Sequence, residues 1–303
     1  MRDSHLFRVF PRQLIDIMAD PPTDISPFKW SASLPYFDNN DPLINIPTKA
    51  MIHASQDIIK ENMTSKVVGV GRQFVVKYGR GLDLIEGQNA IWVATHTGIR
   101  VPKIYALYED SEDEIKYIIM ERLPGTTLEE AWPSMSHAQK EIVCVKLRNI
   151  MQELRALPSP GGYCSLDKKP LPDGLMHFEG THEDPSIISG GPFATEQDLN
   201  RAILQRAATF HEHLKGKAKF YERVFPKVFI NHPPTFSHGD FQRKNIMVNF
   251  LESGVDVALI DWESAAWWPS YYDYSTALFG CHRFADDWHH WLEKLLDPYL
   301  KEA

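Results

Sequence analysis

The stretch SHGDFQRKNIMV, residues 237–248, decides how the rest of the sequence is interpreted. Asp240 follows a His-Gly step and precedes Asn245 by five positions, immediately before an apolar run. Glycine and short polar side chains on their own predict only a turn. The function of the stretch therefore depends on what the chain brings next to it.

A β-hairpin is predicted directly after this stretch. The runs IMVN and VDVALIDWE read as two strands joined by the turn FLESG, over residues 246–262. Asp240 and Asn245 precede the first strand and Asp261 ends the second. Because the hairpin ends farthest from the turn are neighbours, these three oxygen-bearing side chains should share one small volume. Magnesium prefers such ligands together with substrate phosphate oxygens.

Length, charge and cysteine content exclude several classes of protein. The chain of 303 residues can form one large domain or two lobes, and its net charge of −8 argues against a nucleic-acid binder. No run of about 18 apolar residues predicts a membrane helix, and no secretory signal is apparent. Cys144, Cys164 and Cys281 form neither a disulfide framework nor a zinc pattern. A reducing compartment, the cytoplasm, is therefore expected.

The first 123 residues read as an arm followed by a small, mostly β lobe. Residues 1–44 are rich in proline and aromatic side chains and predict an irregular arm. In residues 45–123, segments with the apolar patterns of β-strands are separated by helical runs. The predicted elements are a helix capped by Thr48 and reaching about Lys60, strands Val67–Val70 and Phe74–Lys77, the helical run LIEGQNAIWVATHTG, and the paired runs VPKIYALYED and EIKYIIMERL.

Residues 124–303 read as a larger, mostly helical lobe. Ser136 stands three residues before Gln139, which is the spacing of a capping box, and a helical apolar stripe follows. Residues 158–194 hold many prolines and glycines and predict a long loop, of the kind that is usually functional or mobile. Another helix is predicted from about Thr195.

The pattern H-G-D-x-x-x-x-N has the spacing of a kinase catalytic loop. Together with LIDWE it resembles the catalytic loop and metal-binding strand of the aminoglycoside phosphotransferase family, and in particular the branch common in filamentous fungi. Three further segments resemble the smaller lobe and hinge of that family. The lysine strand is matched by FVVKYG, the helix and strand that follow it by LIEGQNAIW and VPKIYALY, and the hinge strand by KYIIMERLPGTTL. The resemblance implies an α+β, bilobal protein-kinase-like fold, with a small β-rich N-terminal lobe and a larger helical C-terminal lobe.

The resemblance also implies the catalytic and metal-binding residues. Asp240 would orient the acceptor hydroxyl and take its proton. Asn245 and Asp261 would hold Mg²⁺ against the β- and γ-phosphates of ATP. His238 is expected to form hydrogen bonds near the metal strand rather than to titrate in the reaction.

A second group of residues is expected at the nucleotide. A lysine would contact the α- and β-phosphates, a helix glutamate would hold it in place, and backbone groups of the hinge would meet adenine. Two glycines of a G-V-G turn either line the phosphates or simply shape the turn. These candidates are Lys77, Glu86, Glu121, Leu123, Gly69 and Gly71.

Two features near the catalytic loop concern the substrate. Arg243 and Lys244 add positive charge beside the phosphate site, either to bind the γ-phosphate or to face solvent. The acidic balance, with Asp286, Asp287 and Glu293, hints at a cationic acceptor.

Three functions are compatible with these residues. The leading hypothesis is an ATP- and Mg-dependent kinase of a small hydroxylated metabolite, without nucleic-acid or membrane partners. A protein kinase is disfavoured because the segment after Asp261 is short and carries no A-P-E-like motif. The alternative from another class is a kinase-fold protein repurposed for nucleotide or metabolite binding or a non-kinase biosynthetic role, since a fold does not fix a function.

Overall fold

The computed structural model describes residues 30–38, 44–172, 190–210, 212–281, 284 and 286–303. Most of the predicted arm and the middle of the predicted 158–194 loop lie outside these residues. None of the described helices is both long and apolar enough to cross a lipid bilayer.

The N-terminal part is built on a six-stranded antiparallel sheet. The strands are β1 Tyr36–Phe37, β2 Ile58–Glu61, β3 Lys66–Val70, β4 Phe74–Gly79, β5 Ile104–Glu109 and β6 Lys116–Glu121, and the helices are α1 Lys49–His53 and α2 Ile85–His96. The strand order in the sheet is β1-β5-β6-β4-β3-β2, so the predicted strand pairs β3–β4 and β5–β6 are both present.

Helix α1 corrects one prediction from the sequence. Thr48 caps it as expected, by accepting a hydrogen bond from the Met51 amide, but the helix ends at His53 rather than near Lys60. Ser55 then donates to the carbonyl of Gly69 at 2.6 Å, which turns the chain back toward the sheet. Residues 58–61 consequently pair with β3 as an edge strand. Such long-range pairing overrides a local helical pattern.

The alternation of side chains along β4 decides which way Lys77 points. Phe74 and Val76 belong to an outer cluster with Ile52 of α1, whereas Val75 packs against the main core on the other face. Because successive strand residues face opposite sides, Lys77 shares the face of Val75. Helix α2 covers that face, so Lys77 points toward α2.

The C-terminal part is mostly helical, with two small sheets of order β10-β9-β7 and β11-β8. Its central helix, α4, packs against α9, β8 and β10. The strands are β7 Thr126–Thr127, β8 Pro234–Ser237, β9 Ile246–Leu251, β10 Gly254–Leu259 and β11 Ala266–Pro269. The helices are α3 Leu128–Ala131, α4 His137–Arg155, α5 Glu196–Phe210, α6 Lys215–Tyr221, α7 Phe225–Val228, α8 Tyr272–Phe279 and α9 Trp288–Leu295.

The helix starts predicted in this part are confirmed. Ser136 and Gln139 form the two reciprocal hydrogen bonds of a capping box at the start of α4. Helix α5 begins directly after Thr195, whose hydroxyl accepts from the Asp198 amide at 3.1 Å. The apolar stripe of α4 is buried at Val143, Leu147, Met151 and Leu154.

Candidate active site

The hairpin predicted after the catalytic stretch is present as strands β9 and β10. Ile246 is paired with Leu259 and Leu251 with Gly254, so only two residues form the turn. At the opposite end the Ile260 amide donates to the carbonyl of Asn245 at 3.0 Å. The backbone on either side of the hairpin is therefore joined at the place where the sequence gathers its carboxylates.

Asp240 lies inside a ring of hydrogen-bond donors. Asn245 Nδ2 is 2.8 Å from Asp240 Oδ2 and 2.9 Å from the Asp240 carbonyl oxygen. Lys244 Nζ is 3.0 Å from the same Oδ2, and Gln242 Nε2 donates to Oδ1. The carboxylate is thus held in one orientation by residues of its own loop.

His238 connects the Asp240 loop to the end of the strand that leads to Asp261. It is fully buried; its Nε2 lies 3.0 Å from the carbonyl oxygen of Ile260, and its Nδ1 lies 3.3 Å from the amide nitrogen of Asp240. A carbonyl only accepts, so Nε2 carries the proton and Nδ1 accepts from the amide. Burial lowers the pKa of His238, which favours this neutral form.

A buried carboxylate that sequence reasoning missed also supports the loop. Asp273, in the first turn of α8, accepts from the amides of Gly239 at 2.9 Å and His238 at 3.3 Å. Burial raises the pKa of Asp273. Gly239 has φ of +83°, and a Cβ there would lie 2.2 Å from the carbonyl oxygen of Ser264. The signal in the sequence was a single acid inside the aromatic run YYDYSTALF.

Lys77 lies between two carboxylates from different parts of the chain. Its Nζ is 2.6 Å from Glu86 Oε1 and 2.6 Å from Asp261 Oδ1. Burial disfavours a charged lysine, but the two carboxylates outweigh it and raise the pKa of Lys77. Burial alone would raise the pKa of the Asp261 carboxyl, but the positive charge of Lys77 outweighs burial and lowers it. The pair Lys77 and Asp261 is therefore ionised.

The backbone at Asp261 is unusual for a side-chain-bearing residue. Its φ is +67°, in the left-handed region that favours glycine. Strained conformations of this kind concentrate at functional sites, where the surrounding structure maintains them. Asn89 of α2 helps to do so, because its Nδ2 donates to the carbonyls of Trp262 and Ala265 at 2.9 and 3.2 Å.

The oxygen atoms around Asp261 fit a hard divalent cation. Glu86, Asp261 and Glu263 each offer a carboxylate oxygen, and these atoms lie within 4.8 Å of one another. Glu86 Oε2 is buried and has no hydrogen-bond partner among the described residues. Burial raises the pKa of Glu86 to about 7, against the opposing effect of Lys77. An oxygen-only donor set is the one that Mg²⁺ prefers. Glu263 was not among the residues singled out from the sequence.

Gly69 and Gly71 lie toward the end of β3 that is farther from Lys77. Lys77 pairs with Val67, near the start of β3, whereas Gly71 is in the turn after the end of β3. Gly69 is inside the strand, and its amide donates to the Asp57 carbonyl at 2.8 Å. The turn next to Lys77 is instead 62–65, between β2 and β3.

The 62–65 turn is ordered by its first residue. Asn62 Oδ1 accepts from the amides of Thr64 at 2.9 Å and Ser65 at 2.7 Å. Gly79 approaches the turn closely, since a Cβ there would lie 2.2 Å from the Thr64 carbonyl oxygen. Sequence reasoning missed this turn because it expected a helix across residues 58–60.

Glu121 and Leu123 lie where the chain passes from the large sheet to the helical part. The Glu121 amide donates to the Lys103 carbonyl at 2.8 Å, and its side chain forms an ion pair with Arg100. Leu123 follows the strand and is half-buried. Its amide has no hydrogen-bond partner within the described part of the chain.

Two acids that hinted at a cationic acceptor are neutralised within the fold. Asp286 Oδ2 is 2.7 Å from Arg243 Nη1, and Asp287 Oδ1 is 2.8 Å from Lys140 Nζ. Asp287 also accepts from two indole N–H groups. Both charges already have partners within the fold, and a cationic acceptor stays a prediction. The third acid, Glu293, is exposed on α9.

Comparison with known proteins agrees with this geometry. Residues 67–302 match the family model described as the phosphotransferase enzyme family, and this range contains Lys77, Glu86, Asp240, Asn245 and Asp261. No curated protein matches the chain at the sequence level.

Solved structures of aminoglycoside phosphotransferases share the fold. The GDP and kanamycin complex of APH(2")-IIia is 16% identical, with a TM-score of 0.55, over 84% of this chain and 77% of that chain. The GDP complex of wild-type aminoglycoside 2'-phosphotransferase-IIIa is also 16% identical, with a TM-score of 0.53, and the match covers 84% of this chain and 82% of that chain. A thermostable mutant of APH(4)-Ia, in complex with ADP and hygromycin B, is 15% identical, with a TM-score of 0.52, and the match covers 78% of this chain and 74% of that chain. The two-lobed, protein-kinase-like α+β fold is thereby confirmed, and the chain belongs to the phosphotransferase enzyme family.

Proposed function

We propose that this protein is an ATP- and Mg-dependent phosphotransferase that transfers the γ-phosphate to a hydroxyl group of a small molecule. The observation that carries the proposal is the convergence of Lys77, Glu86, Asp240, Asn245 and Asp261 from four separate parts of the sequence. Relatives of the same fold are complexes with GDP or ADP, which supports a nucleotide here.

The nucleotide would bind between the sheet and the catalytic loop. Lys77, fixed by Glu86, would contact the α- and β-phosphates as a localised positive charge. The unused amide of Leu123 and the neighbouring Glu121 would meet adenine at the hinge. Gly69 and Gly71 would shape the β3–β4 hairpin rather than contact phosphate, and the 62–65 turn, adjacent to Lys77, would cover the phosphates.

Asp240 would act on the acceptor. During transfer the bond between the γ-phosphorus and the β–γ bridging oxygen breaks, a bond from the γ-phosphorus to the acceptor oxygen forms, and the acceptor proton passes to Asp240. The transition state is loose, so the orientation imposed by the surrounding donors matters more than strong basicity.

Asn245 and Asp261 would hold Mg²⁺, with Glu263 beside them. When bound, Mg²⁺ neutralises charge on the phosphate oxygens. The left-handed backbone of Asp261 and its contact with Lys77 fix the orientation of its carboxylate, which supports this role. The three unpaired cysteines suit a reducing compartment such as the cytoplasm.

The proposal is tested by phosphoryl transfer from Mg-ATP to a mixture of small hydroxylated metabolites. ADP release and phosphorylated products, detected by mass spectrometry, should appear with the wild type. Asp240→Ala should reduce transfer about 10²–10⁴-fold and retain ATP binding, since Asp240 addresses the acceptor. Asp256→Ala, which removes an exposed carboxylate of β10, is the control and should leave transfer unchanged.

Two outcomes would contradict this function. Near-normal transfer by Asp240→Ala would show that Asp240 has another role. If the wild type binds Mg-ATP but forms neither ADP nor any phosphorylated product, the repurposed, nucleotide-binding function gains instead.

A further inference from the structure

Two cations follow Asp240 on the same 3₁₀ turn, Arg243–Asn245, and the structure gives them different partners. Arg243 Nη1 is 2.7 Å from Asp286 Oδ2, and its guanidinium lies 5.7 Å and 5.6 Å from the ring centroids of Trp132 and Trp288. Its side chain is only 19% exposed. Arg243 therefore anchors the turn to the helical lobe.

Lys244 is held much less firmly. Its side chain is 47% exposed, and within the described ranges its ammonium contacts one carboxylate, Asp240 at 3.0 Å. An exposed pair of this kind is weak and is easily exchanged for a better partner. The four-carbon stem lets the ammonium move while the backbone of the turn stays fixed by Arg243.

The crowding of Asp240 indicates which donor leaves when the site is loaded. Lys244 and Asn245 both donate to Oδ2, while Gln242 donates to Oδ1. Both lone pairs of Oδ2 are therefore occupied, so an acceptor hydroxyl that donates to Oδ2 must displace Lys244 or Asn245. Asn245 is buried and also holds the Asp240 carbonyl, so Lys244 is the donor most easily displaced.

The other lysine of the site cannot serve the same region. Lys77 is fixed at 2.6 Å from Glu86 and 2.6 Å from Asp261, on the sheet side of the site. Lys244 lies beside Asp240, where the acceptor oxygen meets the transferring group. Charge in a loose transition state spreads over the three equatorial oxygens of that group, and a nearby cation stabilises it.

We propose that Lys244 binds an oxygen of the terminal phosphoryl group when the nucleotide binds, and that its move away from Asp240 leaves Oδ2 open to the acceptor hydroxyl. This inference rests on the proposed function and adds a catalytic residue to it. The acceptor proton passes to Asp240.

The test compares two nucleotides in the absence of an acceptor, by calorimetric titration. Mg-AMP-PNP carries a terminal γ-phosphoryl group and Mg-ADP lacks it. Lys244→Met, which keeps the length of the side chain, should raise the Kd for Mg-AMP-PNP about tenfold and change the Kd for Mg-ADP less than about twofold. Lys244→Arg should recover most of the loss.

Two variants control for indirect effects. Lys146→Met removes an exposed lysine of α4 and should change neither affinity. Arg243→Met removes the neighbouring cation, and any effect of loosening the turn should fall equally on both nucleotides.

Two results overturn the inference and leave the proposed function standing. One is an equal change of both affinities in Lys244→Met. The other is an unchanged affinity for Mg-AMP-PNP, which would mean that the lysine serves an anionic group of the acceptor or solvent alone. If the wild type binds neither nucleotide, the proposed function fails and the inference with it.

Discussion

At the scale of single residues, the site depends on charges that compensate one another away from water. Lys77 lies between Glu86 and Asp261, and each of the three would be unfavourable at this depth without the others. Asp286 and Asp287 form further ion pairs with the 243–245 turn and with α4, where both acids remain partly exposed. Substitutions at these positions therefore test stability and function separately.

Glu86→Ala should destabilise the fold. The substitution removes a buried side chain that accepts from Lys77, and losing such a buried hydrogen-bond partner is expected to lower the free energy of unfolding by about 1–3 kcal/mol. Urea unfolding measures the change, with Glu129→Ala, an exposed acid of α3, as the control. A variant as stable as the control would mean that Glu86 is not needed to compensate Lys77.

Asp287 should make stability depend on acidic pH. Partial burial alone would raise the pKa of Asp287, but hydrogen bonds from Lys140, Trp291 and Trp132 outweigh it and lower the pKa. A lowered folded pKa gives a stabilising contribution that is present above about pH 4 and is lost as the pH falls further. Asp287→Asn should therefore be about 1 kcal/mol less stable at neutral pH.

The measurement is thermal or urea unfolding from about pH 7 to about pH 3. The difference between wild type and Asp287→Asn should shrink as the pH falls, because protonation removes the same charge. Asp297→Asn, at an exposed carboxylate beyond α9, is the control. A difference that stays constant over the range would contradict the assignment.

At the scale of elements, the position of α2 fixes the distance between Glu86 and Lys77. The helix approaches β5 closely at Gly87, where a Cβ would lie 2.2 Å from Cδ2 of Leu107. Leu107 is fully buried and has no room to move aside. Glycine at this position therefore allows the helix to bring Glu86 to the sheet.

Gly87→Ala should push α2 away from the sheet. We expect a loss of about 1–3 kcal/mol in the free energy of unfolding, together with weaker binding of Mg-ATP, because Glu86 moves with the helix. Gly216→Ala is the matched control, since it also lies in the first turn of a helix and a Cβ there meets nothing within 4 Å. Equal effects of the two substitutions would exclude a steric cause.

Elements with a strong local signal could be predicted from the sequence. The β9–β10 hairpin and the α4 capping box are each encoded by a few neighbouring residues. The hairpin alone was enough to predict that residues 240, 245 and 261 lie near one another. The edge strand β2 and the turn after it could not be predicted, because pairing with β3 decides them rather than their own pattern. Asp273 and Glu263 were missed because their roles arise from burial and proximity in the folded chain.

At the scale of the whole molecule, the main hydrophobic core encloses two thiols, both from the C-terminal part. Burial raises the pKa of the Cys144 thiol to about 12 and that of Cys164 to about 11. Both side chains are almost inaccessible to solvent, whereas Cys281 is partly exposed. A thiol reacts as its thiolate, so burial and the raised pKa both slow alkylation.

Alkylation of the cysteines should therefore report global unfolding. In native conditions at about pH 8, iodoacetamide should leave Cys144 and Cys164 unlabelled on the time that it needs to label all three in urea. Mass spectrometry of the labelled peptides measures this. Labelling of Cys144 at the same rate with and without urea would contradict the packing of α4 against the core.

The central claim is that one site, built by the hairpin and the lysine strand, binds a nucleotide together with a divalent cation. The most direct test is the affinity for AMP-PNP with and without Mg²⁺, in the wild type and in Asp261→Asn. Mg²⁺ should increase the affinity of the wild type by about tenfold or more and that of Asp261→Asn by less than about twofold, because the variant loses a carboxylate that holds the ion. An equal effect of Mg²⁺ on both proteins would contradict the claim.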